Sequence, residues 1–272
     1  SQYLNDWEVE GETAFTLSLS LPLGIESARP DVVLDMAFEN HQLYIPQFDL
    51  QAADVNGTMR YSAETGLSSE NLNANVWGRE VNLTVSSDGL PTASASSEGQ
   101  LEAPPSARTR LQARGVVDDD SLREWSGMPD VVRTILGRAE GEFPYELSLT
   151  LGGTPTLSVS SELQGLTVDF PPPFRKNQED NWPLTLDMSF AESETQIQAR
   201  LAQLAQLNLN VDTEADADTP YAGLLYLGTP SADMRVRRLN PDDPGLDVIG
   251  HVARVDYEAW AEAVRTLPGV AG

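Results

Sequence analysis

The feature that most constrains this chain is a period-two alternation of apolar and polar residues, which returns along most of its length. In "FTLSLSLPLG", Phe15, Leu17, Leu19, Leu21 and Leu23 fall on one side of an extended backbone, and Thr16, Ser18 and Ser20 on the other. Phe143, Tyr145, Leu147, Leu149 and Leu151 alternate in the same way, as do Leu157 with Val159 and Leu207 with Leu209 and Val211. "PLTLDMSF" repeats the pattern with Leu184, Leu186, Met188 and Phe190. Side chains on a strand point to opposite faces in turn, so each stretch predicts a strand with one dry and one wet face. That is the habit of antiparallel sheets. Ser87-Asp88-Gly89, Gly152-Gly153 and Asn240-Pro241-Asp242-Asp243-Pro244-Gly245 separate the strands as turns.

"AESETQIQARLAQLAQLNLNV" combines helix-forming residues with strand periodicity. Ile197, Ala199 and Leu201 alternate with Gln196, Gln198 and Arg200, which predicts two strands. Two places break the strand rhythm. "DDDSLREWSGMPDVVRTILG" reads as helical, with Asp119 or Asp120 as N-cap and a second apolar turn from Pro129 to Gly137. "DYEAWAEAVRTLPG" reads as a helix from about Asp256 to Leu267. "GVVDDDSLREW" and "GHVARVDYEAW" share a Gly-x-Val, an acidic residue and a closing Trp at equal offsets. A strand leading into a short helix is therefore expected to recur, at 115–137 and 250–267.

The 272 residues include 17 Lys plus Arg against 42 Asp plus Glu, a formal net charge of −25. Nucleic-acid binding needs concentrated positive charge, so that class is excluded, as is adsorption to an anionic membrane surface. No cysteine is present, so disulfides and thiolate metal sites are excluded. Sites for catalysis are sparse. His41 and His251 stand far apart in sequence, and each reads as a surface or rim residue in or beside a strand. "DTEADAD" (Asp212, Glu214, Asp216, Asp218) opens like a calcium loop, but its sixth position is Ala217 and its twelfth Gly223, where Gly and Glu are needed. No nucleophile elbow, phosphate-binding glycine loop or His-Glu-x-x-His occurs. A non-catalytic protein without cofactor or metal is expected.

The apolar strand faces are what remains. Leu147, Leu149, Leu157, Val159, Leu184, Leu186 and Met188 have two readings, a closed sandwich core or the lining of an open groove for an elongated apolar ligand. Alternation alone leaves both open, because either arrangement takes one face of each strand away from water.

The order of motifs carries a resemblance. "ADVNGTMRYSAETGLSSENLNANVWGREVNLTVSS" has Gly57 and Tyr61, a Gly66-Leu67 turn, Leu72 and Ala74, then Trp77-Gly78 leading into a further strand. "RGVVDDDSLREW", "GEFPYELSLTL", "SSELQGLTVDFPPPFRK" and "GLDVIGHVARVDYEAW" follow in turn. This collinear set resembles the AsmA-like proteins of Gram-negative bacteria, specifically their YhdP branch, over nearly the whole chain. The departures are Phe170-Pro171-Pro172-Pro173-Phe174, where smaller aliphatics are common, and a more acidic composition.

The resemblance implies a bridge-like lipid-transfer protein, anchored in the inner membrane by an N-terminal helix and spanning the periplasm. It implies a mostly β fold, a curved, largely antiparallel sheet forming an open groove, with two short helices. Residues 1–272 would be a single periplasmic segment of a longer chain whose neighbouring repeats continue it. Phospholipid would be the cargo, and the seven apolar residues above would line the groove. The alternative is a closed β scaffold or protein-interaction module of an envelope protein. Within the groove reading, the three prolines, which lack a backbone N–H, make an extended crossing at the sheet's rim with "RKNQED" on the solvent side.

Overall fold

A computed structural model describes residues 7–20, 31–87, 108–128, 130–213, 221–228, 245–251 and 256–265. The chain divides into two compact units, residues 1–115 with 148–155, and residues 116–147 with 156–272.

The first unit is an antiparallel meander. β1 (Glu8–Glu10) and β2 (Thr13–Ser20) both pair with β3 (Asp31–Ile45), which is followed by β4 (Leu50–Ser62), β5 (Gly66–Val76), β6 (Arg79–Ser87) and β7 (Thr109–Asp118) in spatial order. β5 and β6 join through Trp77-Gly78, with φ of 52° and 76°. Positive φ at both turn positions gives the twist that a two-residue hairpin needs, so the aromatic-glycine pair is a turn signal. The buried apolar residues of this unit include Leu72, Ala74, Val81, Val85 and Ala113 on β5, β6 and β7, with Ala52 on β4.

The second unit begins with two short helices, α1 (Asp119–Glu124) and α2 (Asp130–Leu136). The N-cap of α1 is Asp118, one residue before the two acidic residues expected for that role. Its extended backbone lets the carboxylate accept the Ser121 N–H at 2.7 Å. Asp119 is instead buried and accepts the Gly141 N–H at 2.8 Å, which ties α1 to the next strand. Arg133 closes the α1–α2 connection by donating to the carbonyls of Arg123, Trp125 and Met128 at 3.0, 3.2 and 3.0 Å.

The sheet of the second unit runs β8 (Ala139–Leu151), β9 (Thr156–Ser161), β11 (Leu184–Phe190), β12 (Glu194–Leu201), β13 (Ala205–Asp212), β14 (Tyr221–Leu227) and β15 (Gly245–Gly250), with β10 (Leu166–Val168) beside β8. β8 with β10, β9 with β11, β11 with β12, β12 with β13 and β13 with β14 pair antiparallel, and β14 with β15 pairs parallel. The ambiguous glutamine- and alanine-rich segment forms two strands, β12 and β13, joined at Ala202 with φ of 46°. α3 (Tyr257–Arg265) ends the described chain. Neither unit's sheet closes on itself, so the protein is mostly β, largely antiparallel and open, with three helices among the described residues. The third arises because the first helical segment holds two.

Two glycines fix the join of β8 and β10. Gly141 (φ 127°) and Gly165 (φ 102°) bring their backbones so close that a Cβ on Gly141 would lie 2.3 Å from the Gly165 carbonyl oxygen. The converse Cβ on Gly165 would lie 2.1 Å from the Glu142 carbonyl oxygen. Only glycine fits such an approach.

Candidate apolar groove

Residues directly opposite one another in a ladder share a face. On that basis the second unit carries two apolar rows across its strands. One runs Val159, Leu186, Ala199, Leu207, Leu225, Val248. The other runs Leu157, Met188, Ile197, Leu209, and continues through Gly223 to Leu246. From β9 to β13 every member is half-buried, and none belongs to the buried core. At β15 the rows come out into solvent, with Leu246 44% and Val248 56% exposed. The reverse face holds Ser158, Ser160, Thr185, Asp187, Gln196, Gln198 and Arg200, all exposed, with Ser158 donating to Asp187 at 2.7 Å.

Of the seven residues expected to line a groove, Leu157, Val159, Leu184, Leu186 and Met188 are placed on this one face by the β9–β11 register. Leu147 is on β8 in the same unit, and its strand shows the same alternation, Glu142, Pro144 and Glu146 exposed against half-buried Tyr145 and Leu147. Leu149 is also half-buried but lies in the segment 148–155 that groups with the first unit. The rows extend well past these seven, to Ile197, Ala199, Leu207, Leu209, Leu225, Val248 and Leu246. For β12 and β13 the signal was present as alternation of the same period; for β14 and β15, "AGLLYL" and "GLDVIG" alternate too weakly to show it.

The first unit has its own apolar rows, Phe15 with Met36 and Met59, and Leu17 with Leu34, Tyr61 and Leu67. Phe15, Met36 and Met59 help to line a hollow of about 620 Å³. Their outermost members are exposed on β2, Phe15 at 71% and Leu17 at 59%.

Two polar side chains depart from expectation. His41 is not a surface or rim residue: it is 2% exposed, packed edge-on to Phe38 at 5.2 Å and roofed by Gly11, where any Cβ would lie 2.6 Å from the ring. Its Nε2 pairs with the Thr13 hydroxyl at 2.9 Å, and its Nδ1 has no partner in the described structure. His251 is exposed, as expected. Lys176, in the "RKNQED" run, turns inward rather than to solvent and is 2% exposed. Its ammonium donates to the carbonyls of Leu166 and Asn177 at 2.8 and 3.0 Å. Burial pushes its pKa down from the ordinary lysine value, against the opposing pull of Asp180 and Glu179.

The proline run is not the extended crossing expected, because it holds a turn. Phe170 and Pro171 are buried, and the Phe174 N–H closes a turn on the Pro171 carbonyl at 3.0 Å. α3 docks there. Trp260, in the middle of α3 rather than at its end, stacks on Phe170, meets Phe174 edge-on at 5.8 Å and donates its indole N–H to the Pro172 carbonyl at 3.3 Å. Arg138 covers the Phe170 ring at 5.4 Å and donates to the Ala263 carbonyl of α3 at 3.2 Å.

Among the described residues, no three His, Cys, Asp or Glu side chains group to hold a metal ion, and no helix is long and apolar enough to cross a membrane. Most of the acidic "DTEADAD" stretch, and the Asn240–Pro244 part of the turn that ends at Gly245, lie outside the described residues. No curated protein and no solved structure matches the chain. A family model described as YhdP protein matches residues 1–270. The chain belongs to the YhdP family.

Proposed function

We propose that this chain is a non-catalytic segment of a lipid-transfer conduit in the bacterial envelope. In this reading its half-open apolar face shields phospholipid acyl chains, with the head groups in water, between the inner and outer membranes. The observation that supports it is the state of the two rows: a sandwich core would bury Leu157, Val159, Leu186, Met188, Ile197 and Leu209, yet all six are half-buried. Family membership supports the same reading. Burial of about 0.8 kcal/mol per CH₂ makes ten methylenes worth roughly 8 kcal/mol before ordering costs. Affinity is then easily reached, and rapid movement requires a lining without strong polar traps. The leucine, valine and alanine of the rows provide such a lining.

Location in the periplasm, attachment to an inner-membrane helix and continuation by neighbouring repeats of a longer chain belong to the same proposal. Its test is native mass spectrometry with lipid extraction on the freshly purified chain, beside a Leu186→Asp variant of unchanged circular dichroism. Phospholipid on the parent and its loss from the folded variant are the expected result. Lipid bound equally by both would remove the rows from the cargo's path.

A further inference from the structure

The sheet of the first unit ends on a strand with nothing to guard its outer side. β1 and β2 lie along the same edge of β3, whose other edge pairs with β4, and among the described residues β2 pairs with β3 alone. Its outward backbone N–H and C=O groups therefore have no ladder, and such an edge recruits another strand unless charge, proline or a bulge blunts it. β1 is blunted, with Glu8 and Glu10 among its three residues. β2 is not: "TAFTLSLS" holds no charged residue, no proline and no glycine. All eight of its residues are exposed, and on its apolar side Phe15, Leu17 and Leu19 stand 71, 59 and 57% exposed.

A strand that fits this edge is extended, uncharged and patterned with a period of two, and β2 itself meets all three conditions. With a net charge of −25, two copies of the chain repel over most of their surface, but β2 brings no charge to a contact. It also complements itself. Turned antiparallel about Leu17, it sets Leu17 against the partner's Leu17, Phe15 against the partner's Leu19 and Thr16 against the partner's Ser18. Apolar then meets apolar, and hydroxyl meets hydroxyl, at each of these places. We propose that β2 is the interface of a two-fold dimer of this chain, the two β2 strands pairing edge to edge about Leu17. A contact of this isologous kind closes on itself and stops at two copies. Within each copy Phe15, Leu17 and Leu19 lie opposite Met36, Leu34 and Val32, so the apolar rows run unbroken from one sheet into the other. β15 is the poorer match, since it lies parallel to its neighbour and carries Asp247. The pairing stands on the edge of the sheet and does not depend on what the apolar face carries.

The test follows the whole chain by sedimentation equilibrium over rising protein concentration. The parent should pass from the 29.6 kDa of one chain to twice that mass and no further. Leu17→Lys and Leu17→Asp each set like charges face to face on the two-fold axis, and each should weaken dimerisation by about tenfold or more. Circular dichroism confirms that both fold, as substitutions at so exposed a position should. Mixed in equal amounts they should recover the dimer, one copy of each, because the facing charges are then opposite. The sequence has no cysteine, so Leu17→Cys gives a second measurement. Directly opposed residues of an antiparallel pair have Cα atoms about 4.5–5.5 Å apart, within disulfide reach, so oxidation should link this variant several times faster than Ile249→Cys on exposed β15. A parent that stays monomeric overturns the proposal, as do charge variants that lose association and do not recover it on mixing. Assemblies larger than a dimer overturn it too, because β2 then pairs with a different edge.

Discussion

The ring of Trp260 lies on that of Phe170, their centroids 6.1 Å apart and their planes 19° from parallel. That contact joins α3 to the Pro171–Pro173 turn, and Phe174 with the Pro172 carbonyl completes the seat. A nine-residue helix is too short to hold itself in water, so its order depends on this docking. Trp260→Ala should cost roughly 3 kcal/mol, near the low end for a large aromatic because the residue is only half-buried. Hydrogen exchange should show the amides of α3 losing protection while those of β11 and β12 keep theirs. Equal loss throughout the sheet would mean that α3 is not a separately docked element.

Glycine is required at position 165 for two reasons that add. The φ of 102° disfavours any side chain, and the Cβ would strike the Glu142 carbonyl. Gly165→Ala should therefore destabilise by more than about 2 kcal/mol, since neither backbone can yield without opening the β8–β10 ladder. Gly153→Ala is the control. Its φ is 69°, but open space surrounds the missing Cβ, so only the left-handed conformation is penalised, by roughly 1 kcal/mol. Urea midpoints for the two variants should differ in that order; equal midpoints would show that the close approach at Gly165 relaxes freely.

Much of this fold could be read from the sequence because its strands are patterned with a period of two over long stretches. β8, β9, β11, β12 and β13 all follow from it, even where alanine and glutamine favoured a helix. The Trp77-Gly78 turn and the Gly165-Leu166 approach were visible as motifs, though the geometry that demands glycine was not. His41 and Lys176 were misread as exposed because polarity is a poor guide to burial when the chain supplies a local partner, here the Thr13 hydroxyl for one and two carbonyls for the other. The docking of α3 on Phe170 rests on a contact between residues 90 positions apart, as 260 − 170 gives, which no local pattern encodes. The width of the apolar face depended on the register of β14 and β15, and their weak alternation hid it.

Lys176 makes alkaline stability informative. Its pKa is lowered in the folded state, chiefly by burial, so between that lowered value and the ordinary 10.5 the unfolded chain holds more protons than the folded one. Stability contributed by this residue must then rise with pH across that window, as the penalty on the buried charge is relieved. Lys176→Met removes the titration and leaves the Leu166 and Asn177 carbonyls without their donor. The difference in urea stability, parent minus variant, should therefore climb as the pH rises towards the ordinary value of 10.5. A difference that stays flat or falls would show that the folded protein does not depress this group.

Ile197 and Gln198 are neighbours on β12 and point to opposite faces, Ile197 half-buried in the apolar row and Gln198 exposed. If cargo spreads beyond β9 and β11, a carboxylate at position 197 stands in the path of an acyl chain, and one at 198 stands in water. Each substitution puts the same charge on the same strand of an already acidic protein, so general repulsion is matched between them. Ile197→Asp should lower bound phospholipid by about tenfold, the equivalent of roughly 1.4 kcal/mol, because a carboxylate shuns a site where hydrocarbon excludes water. Gln198→Asp should leave the load unchanged. The two are compared by lipid-to-protein ratio after extraction, with thermal melts to confirm that both fold. Full load on a folded Ile197→Asp would confine the conduit to the face of β8, β9 and β11, and loss from both would point to charge rather than to the face.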